Sequence, residues 1–300
     1  MSELWEPIHG VYTATASLFP WAASLPSIDA GEWGSALISA GVGAGIGAWM
    51  AGRIARNSKL RDELLAELRS IDVSITLCIS IIDVAGALKK QHVMGLLKKY
   101  ESDLERFDQY KAAERRAGPF TLSINNLKFQ AIAPPIVELQ GLVLKGMSIS
   151  PNGVKSMIAL ADAVGNLNGM IDAYNRLLEM FRDGGLPAGF TSEHYYLALP
   201  VGGVVNNEYG SAVRGMADYV NDIIFFAWKL SHCLTSQGVT VRDRYEELSG
   251  EKRLIRRVNS IGKNADLIPP DSAYEEWMNG WEEDFSGVTK KRRWWHGKQK

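Results

Sequence analysis

From Gly34 to Gly52 the chain reads GSALISAGVGAGIGAWMAG, a stretch without a single charge. A helix of that length rises roughly 28 Å, close to the ~30 Å hydrocarbon core of a bilayer. Trp33 and Trp49 stand near its two ends, where amphipathic indoles favour the membrane–water interface. Asp29 and Glu32 precede it, and Arg53, Arg56, Lys59 and Arg61 follow at once. No Lys or Arg occurs before Arg53. Basic residues concentrate on the cytoplasmic side of a span, so this asymmetry predicts a single-pass helix. Its N-terminus lies outside and its C-terminus in the cytoplasm of a cell-membrane protein. The first 33 residues then form an extracytoplasmic tail. They are not a cleaved leader, because they lack a basic start and Pro20 interrupts their apolar stretch.

Glycines occupy positions 41, 43, 45 and 47. Gly41 with Gly45, and Gly43 with Gly47, each make a GxxxG step, and Ala51 extends the second. Small residues four apart let another helix approach closely, so Gly41, Gly43, Gly45 and Gly47 are the expected helix–helix interface of a homo-oligomer. A nucleotide-binding loop is excluded. GxGxxG requires glycine at position 46 or 48, which are Ile46 and Ala48, and no buried strand precedes them.

The 300-residue chain as a whole is too polar for a multi-span membrane protein, with mean hydropathy −0.10, and too apolar for wholesale disorder at 46% hydrophobic. Leu64, Leu68, Ile71, Ile75, Cys78, Ile82 and Ala85 follow a 4-3-4-3-4-3 spacing, the seam of a coiled coil. Val93, Leu97, Tyr100, Leu104 and Phe107 continue it after one shift of phase, and Gly118-Pro119 ends it. A long membrane-proximal helix is therefore expected. Phe120 to Ala133 is irregular, and a short helix is expected over Ile136–Lys145. Ser150-Pro151 provides a cap and a first-turn proline for a helix that Asp183-Gly184-Gly185 closes. Residues 184–207 are rich in Gly and Pro and are expected to form a long loop. A helix through Val213 to Leu234 follows. Gly238 separates it from a more charged helix over Val241–Ile261, and Pro269-Pro270 ends the ordered part. The expected fold is all-α: a transmembrane helix at 34–52, then a cytoplasmic antiparallel helical bundle at 53–268. A flexible tail, acidic then basic, covers 269–300.

No catalytic, cofactor or metal motif is present. GxSxG, a Walker lysine and kinase signatures are missing. The five histidines, His9, His92, His194, His232 and His296, have no ligand spacing, and Cys78 and Cys233 sit among apolar residues as core side chains would. Asp72 and Asp83 interrupt the apolar run on one helix face, but about 16 Å of helix rise separates them, too far for an acid–base pair. They are expected to be a polar stripe. The C-terminal Lys290, Lys291, Arg292, Arg293, Trp294 and Trp295 suit an anionic membrane surface, with Arg53, Arg56 and Lys59 beside the span. Nucleic acid could use the same pair of properties, but the chain as a whole is not basic, at a net charge of −1.

These features point to a membrane-anchored interaction or scaffold module. It would oligomerise through the glycine-rich helix, with membrane lipids and a cytoplasmic protein of unknown identity as partners. A membrane-perturbing effector of toxin or defence type, assembled through the same helix, is the alternative. A membrane-bound enzyme with a site built from scattered residues is the third.

Overall fold

The computed structural model describes residues 5–8, 11–14, 30–113, 118–255 and 267–279; for residues 5–8, 11–14 and 30–47 it describes the backbone alone. Helix dominates, as an all-α fold requires. The chain divides into two compact units, Met1–Asp62 and Glu63–Lys300. In the first, β1 (Trp5–Ile8) pairs with β2 (Val11–Ala14) as an antiparallel hairpin, Trp5 opposite Ala14 and Ile8 opposite Val11. The expected tail thus contains a short sheet. Helix α1 runs from Ala30 to Leu88 without interruption.

In the second unit, α1 passes into a π-helix, Lys89–Val93, and then α2, Met94–Ala112. The π-helix falls where the apolar seam changes phase. Ala85 and Val93 are eight positions apart, one more than a heptad, and a π-turn absorbs one extra residue while keeping both on the core side. From its last residue onward the buried positions are Val93, Leu96, Tyr100 and Asp103. Leu97, Leu104 and Phe107 are only half-buried, so the core face of α2 is set by a register the apolar spacing alone does not reveal.

Helix α3 spans Ile136–Lys145, and α4 spans Pro151–Asp183. The Ser150 hydroxyl accepts the Gly153 N–H at 3.3 Å, Pro151 opens the first turn, and Gly184 at φ +69° closes the helix in the left-handed region. The 184–207 stretch is more structured than a loop. It holds α5 (Ser192–Tyr196) and a hairpin of β3 (Pro200–Val201) with β4 (Val204–Val205), turned by Gly202 and Gly203 at positive φ.

Helix α6 then runs unbroken from Glu208 to Ser249. Gly238 does not divide it, contrary to expectation. Its hydrogen is a packing device: a Cβ there would stand 3.2 Å from Ile71 Cγ2 and 3.3 Å from Ile255 Cδ1, so α1 and α6 approach closely. The helix ends at Gly250, φ +70°.

Helices α4 and α6 form the central pair. Gly153 faces Cys233 near one end, and Tyr174 and Phe181 meet Tyr209 near the other, so the pair is antiparallel. Ile71 lies by Gly238 while Tyr100 lies by Tyr209, so α6 also runs against α1 and α2. Ile71, Ile75, Leu139, Met157, Leu160, Ile171, Val220 and Leu230 are fully buried among these elements. Each such side chain contributes about 1.5–3 kcal/mol relative to exposure.

Regular structure continues past Pro269-Pro270 as far as the described residues run. Asp271–Tyr274 forms a 3-10 turn and Glu275–Asn279 forms α7. Tyr274 stacks on Phe225 at 3.7 Å, Trp277 lies 4.9 Å from Phe226, and Lys229 pairs with Asp271 at 2.8 Å. Aromatic area, invisible in a charge-based reading of the tail, holds this segment on α6.

Candidate functional site

One helix, Ala48–Ala112 among the residues with described side chains, is long and apolar enough to cross a membrane. A little under half of its most apolar window is buried inside the protein. That apolarity concentrates in 71–88, where Ile71, Ile75, Cys78, Ile82 and Ala85 form one wall of the core. This part of the helix is therefore accounted for by packing. Burial pushes the Cys78 thiol up to about 12, the behaviour of an inert core residue.

The C-terminal end of the sequence-predicted span and the residues just after it behave differently. Trp49 (58% exposed), Met50, Ile54 and Leu60 are exposed large apolar residues on α1, interleaved with Arg53, Arg56, Lys59 and Arg61. The Arg53 guanidinium lies 5.6 Å from the Trp49 ring centre, and Arg56 Nε donates to the Gly52 carbonyl at 3.2 Å. An indole and guanidinium one helical turn apart match an interface, where the ring meets acyl chains and the cation meets headgroups.

Gly41, Gly43, Gly45 and Gly47 all lie within the continuous helical backbone of α1. Successive helical residues turn by about 100°, so positions two apart point roughly 200° from each other. Gly41 and Gly45 therefore make one strip, and Gly43 and Gly47 a second on nearly the opposite side. Lys290, Lys291, Arg292, Arg293, Trp294 and Trp295 lie outside the described residues.

Asp72 is half-buried and Asp83 is exposed, as a polar stripe requires. The buried carboxylate is Asp103, at 4% exposure, which no catalytic motif marks. Lys99 Nζ approaches it at 2.6 Å, Arg106 Nη1 at 2.9 Å, and the Tyr196 hydroxyl donates at 2.8 Å. Burial alone would raise its pKa. The hydrogen bonds from Lys99 and Tyr196 and the charges of Lys99 and Arg106 outweigh that, and hold the carboxyl below its usual value. Both cations come from α2 itself at positions i−4 and i+3, the one sequence signal that foreshadows this carboxylate. Tyr196 packs edge-on to Tyr100 at 5.3 Å and against Tyr209 at 4.6 Å. With three donors fixed on it, Asp103 pins α5 to α2.

His194 completes a capping box with Thr191, and His232 lies edge-on to Trp228 at 4.3 Å. Among the described residues, no three His, Cys, Asp or Glu side chains converge as a metal site needs. An apolar cleft of about 640 Å³ runs along α4, lined by Pro151, Val154, Lys155, Ile158, Asp162 and Trp277. Lys155 Nζ sits 3.8 Å over the Trp277 ring and also donates to the Trp277 carbonyl.

No protein-family model matches the chain, and no curated protein or solved structure matches it.

Proposed function

We propose that the protein is a single-pass, membrane-anchored helical module that oligomerises through the glycine-rich part of α1. Its antiparallel helical bundle, residues 53–268, lies on the cytoplasmic side and engages a protein partner there. The N-terminal tail lies outside. The basic, tryptophan-containing C-terminus binds the anionic inner leaflet, as do Arg53, Arg56 and Lys59.

The observation that carries this proposal is the exposure of Trp49, Met50 and Ile54 on a helix that continues through the glycines. Glycine costs about 1 kcal/mol per residue relative to alanine in a water-exposed helix. In lipid the helix is enforced instead, because backbone groups have no water to bond to. A bilayer therefore accounts for a helical, glycine-rich segment and for the apolar residues at its cytoplasmic end.

The test is the oligomeric state of detergent-solubilised protein carrying Gly41→Ile with Gly45→Ile, or Gly43→Ile with Gly47→Ile. Isoleucine keeps the hydrophobicity and blocks close approach. One pair of substitutions should dissociate the oligomer and the other should leave it intact. An unchanged state in both variants rules out glycine-mediated assembly.

A further inference from the structure

Residues 119–134 form no helix or strand, yet they are held in a regular way. The Phe129 N–H donates to Asn175 Oδ1 at 3.0 Å, and Asn175 Nδ2 donates back to the Phe129 carbonyl at 2.8 Å. The same exchange joins Ile132 and Asn168, at 2.9 and 3.0 Å. A side-chain amide carries one acceptor and two donors, so each asparagine clamps both backbone groups of one residue. The spacing is commensurate. Asn168 and Asn175 are seven helical positions apart, about 10.5 Å of rise. Phe129 and Ile132 are three extended positions apart, about 10 Å. The α4 asparagines thus form a two-rung ladder that reads extended backbone without reference to sequence.

Side chains add selectivity. Phe129 lies 5.4 Å from the Tyr174 ring and 5.9 Å from His92, which the π-helix places there. π-turns recur at functional sites for this reason: they re-aim one residue. Lys128 pairs with Glu179 at 2.5 Å. The recognised pattern is therefore basic, aromatic, two unrestricted residues, aliphatic. Apart from Phe129 the segment buries no residue fully, and it is bounded by Gly118 at φ +139° and by Pro134-Pro135. Phe120, Leu122, Ile124 and Ile132 pack partly buried against the core, so release of the segment opens these contacts together with the two asparagine rungs.

We propose that the α4 face bearing Asn168 and Asn175 is a groove for extended peptide. The 119–134 segment is its resident ligand, and the ligand it accepts from outside is the same segment of a second copy of this chain. Exchange of identical elements needs no new contact, only release at the ends. The proposal does not rest on the membrane anchor or on the glycine strips.

The experiment uses the full chain and a labelled peptide, PFTLSINNLKFQAIAP, which is residues 119–134. Phe129→Ala weakens the resident segment and should leave the groove open. Peptide should bind this variant at least ten-fold tighter than it binds the unaltered chain. Adding Asn168→Ala and Asn175→Ala should weaken binding at least ten-fold, as should alanine at Lys128, Phe129 and Ile132 of the peptide. Circular dichroism checks the fold, and Ile132→Ala is the milder substitute if Phe129→Ala unfolds. Exchange between copies is read by differently tagged chains, one Phe129→Ala and one Asn168→Ala/Asn175→Ala. They should recover each other at least five-fold better than each recovers itself. No peptide binding to a folded variant, binding indifferent to the asparagines, or equal recovery would overturn the proposal.

Discussion

The Tyr196 hydroxyl donates to the Asp103 carboxylate at 2.8 Å across a separation of 93 positions, and so ties α5 to α2. Tyr196→Phe removes one hydrogen bond to a charged group and should cost roughly 2 kcal/mol. Lys99 and Arg106 are themselves substantially exposed, so removing either should cost less than about 1 kcal/mol. Asp103→Ala also leaves the buried phenol without its acceptor and should cost more than either lysine or arginine change. Urea midpoints of the four proteins check the order.

The same carboxylate gives a pH dependence of known sign. Its folded pKa lies below the unfolded value, so its contribution is complete above the unfolded value, ~3.9. It is lost as pH falls through the folded pKa. Asp103→Asn should therefore be less stable than the parent at pH 7, with the gap narrowing below about pH 4. Denaturation at pH 7 and pH 3 measures this.

Asp222 has the opposite sign. Burial raises its pKa more than the hydrogen bond from Tyr274, at 2.7 Å, lowers it. The native state then holds that proton more tightly than the unfolded chain, and the ionised carboxylate is a penalty above its folded pKa. Asp222→Asn keeps an acceptor for Tyr274 and removes the charge. It should raise Tm by roughly 1–3 °C at pH 7 and leave it unchanged in acid, as thermal scans at the two pH values would show.

The π-helix tests the register of the long helix. Deleting the exposed Gln91 removes the extra residue and puts Val93 in phase with Ala85 on an ordinary α-helix. The protein should stay folded. Inserting an alanine after Gln91 instead rotates α2 by about 100° and exposes Val93, Leu96 and Tyr100, which should abolish cooperative unfolding. Near-ultraviolet dichroism during denaturation separates the two outcomes.

Gly210 and Gly238 differ in how much room they leave. A Cβ at Gly210 would fall on the Tyr100 hydroxyl and lie 2.6 Å from Asn207 Oδ1. Gly210→Ala should cost about 2–3 kcal/mol by overpacking. At Gly238 the neighbours are isoleucine methyls no nearer than 3.2 Å, which need give by only a few tenths of an ångström, and Gly238→Ala should cost about 1 kcal/mol. Chemical denaturation of both variants checks the ranking.

Where local chemistry decides, the sequence is legible. Ser150, Pro151 and Gly184 mark both ends of α4, and the seam's change of phase marks the π-helix. Where tertiary packing decides, local chemistry misleads. Gly238 has the composition of a break but is a point of helix contact, and Tyr274 and Trp277 follow a proline pair yet dock on Phe225 and Phe226. Asp103 shows nothing apolar to a periodicity search, although its position on α2 is a core position. The asparagine ladder is hidden for a similar reason: Asn168 and Asn175 gain meaning only beside an extended segment some forty positions earlier.

The membrane anchor is most directly tested by fractionating cells that express the full chain, washing membranes with carbonate and applying protease from the outer side. The anchor predicts retention in the membrane, with cleavage confined to residues before Gly34. Release into the soluble fraction, or cleavage within the helical domain of intact cells, would contradict it.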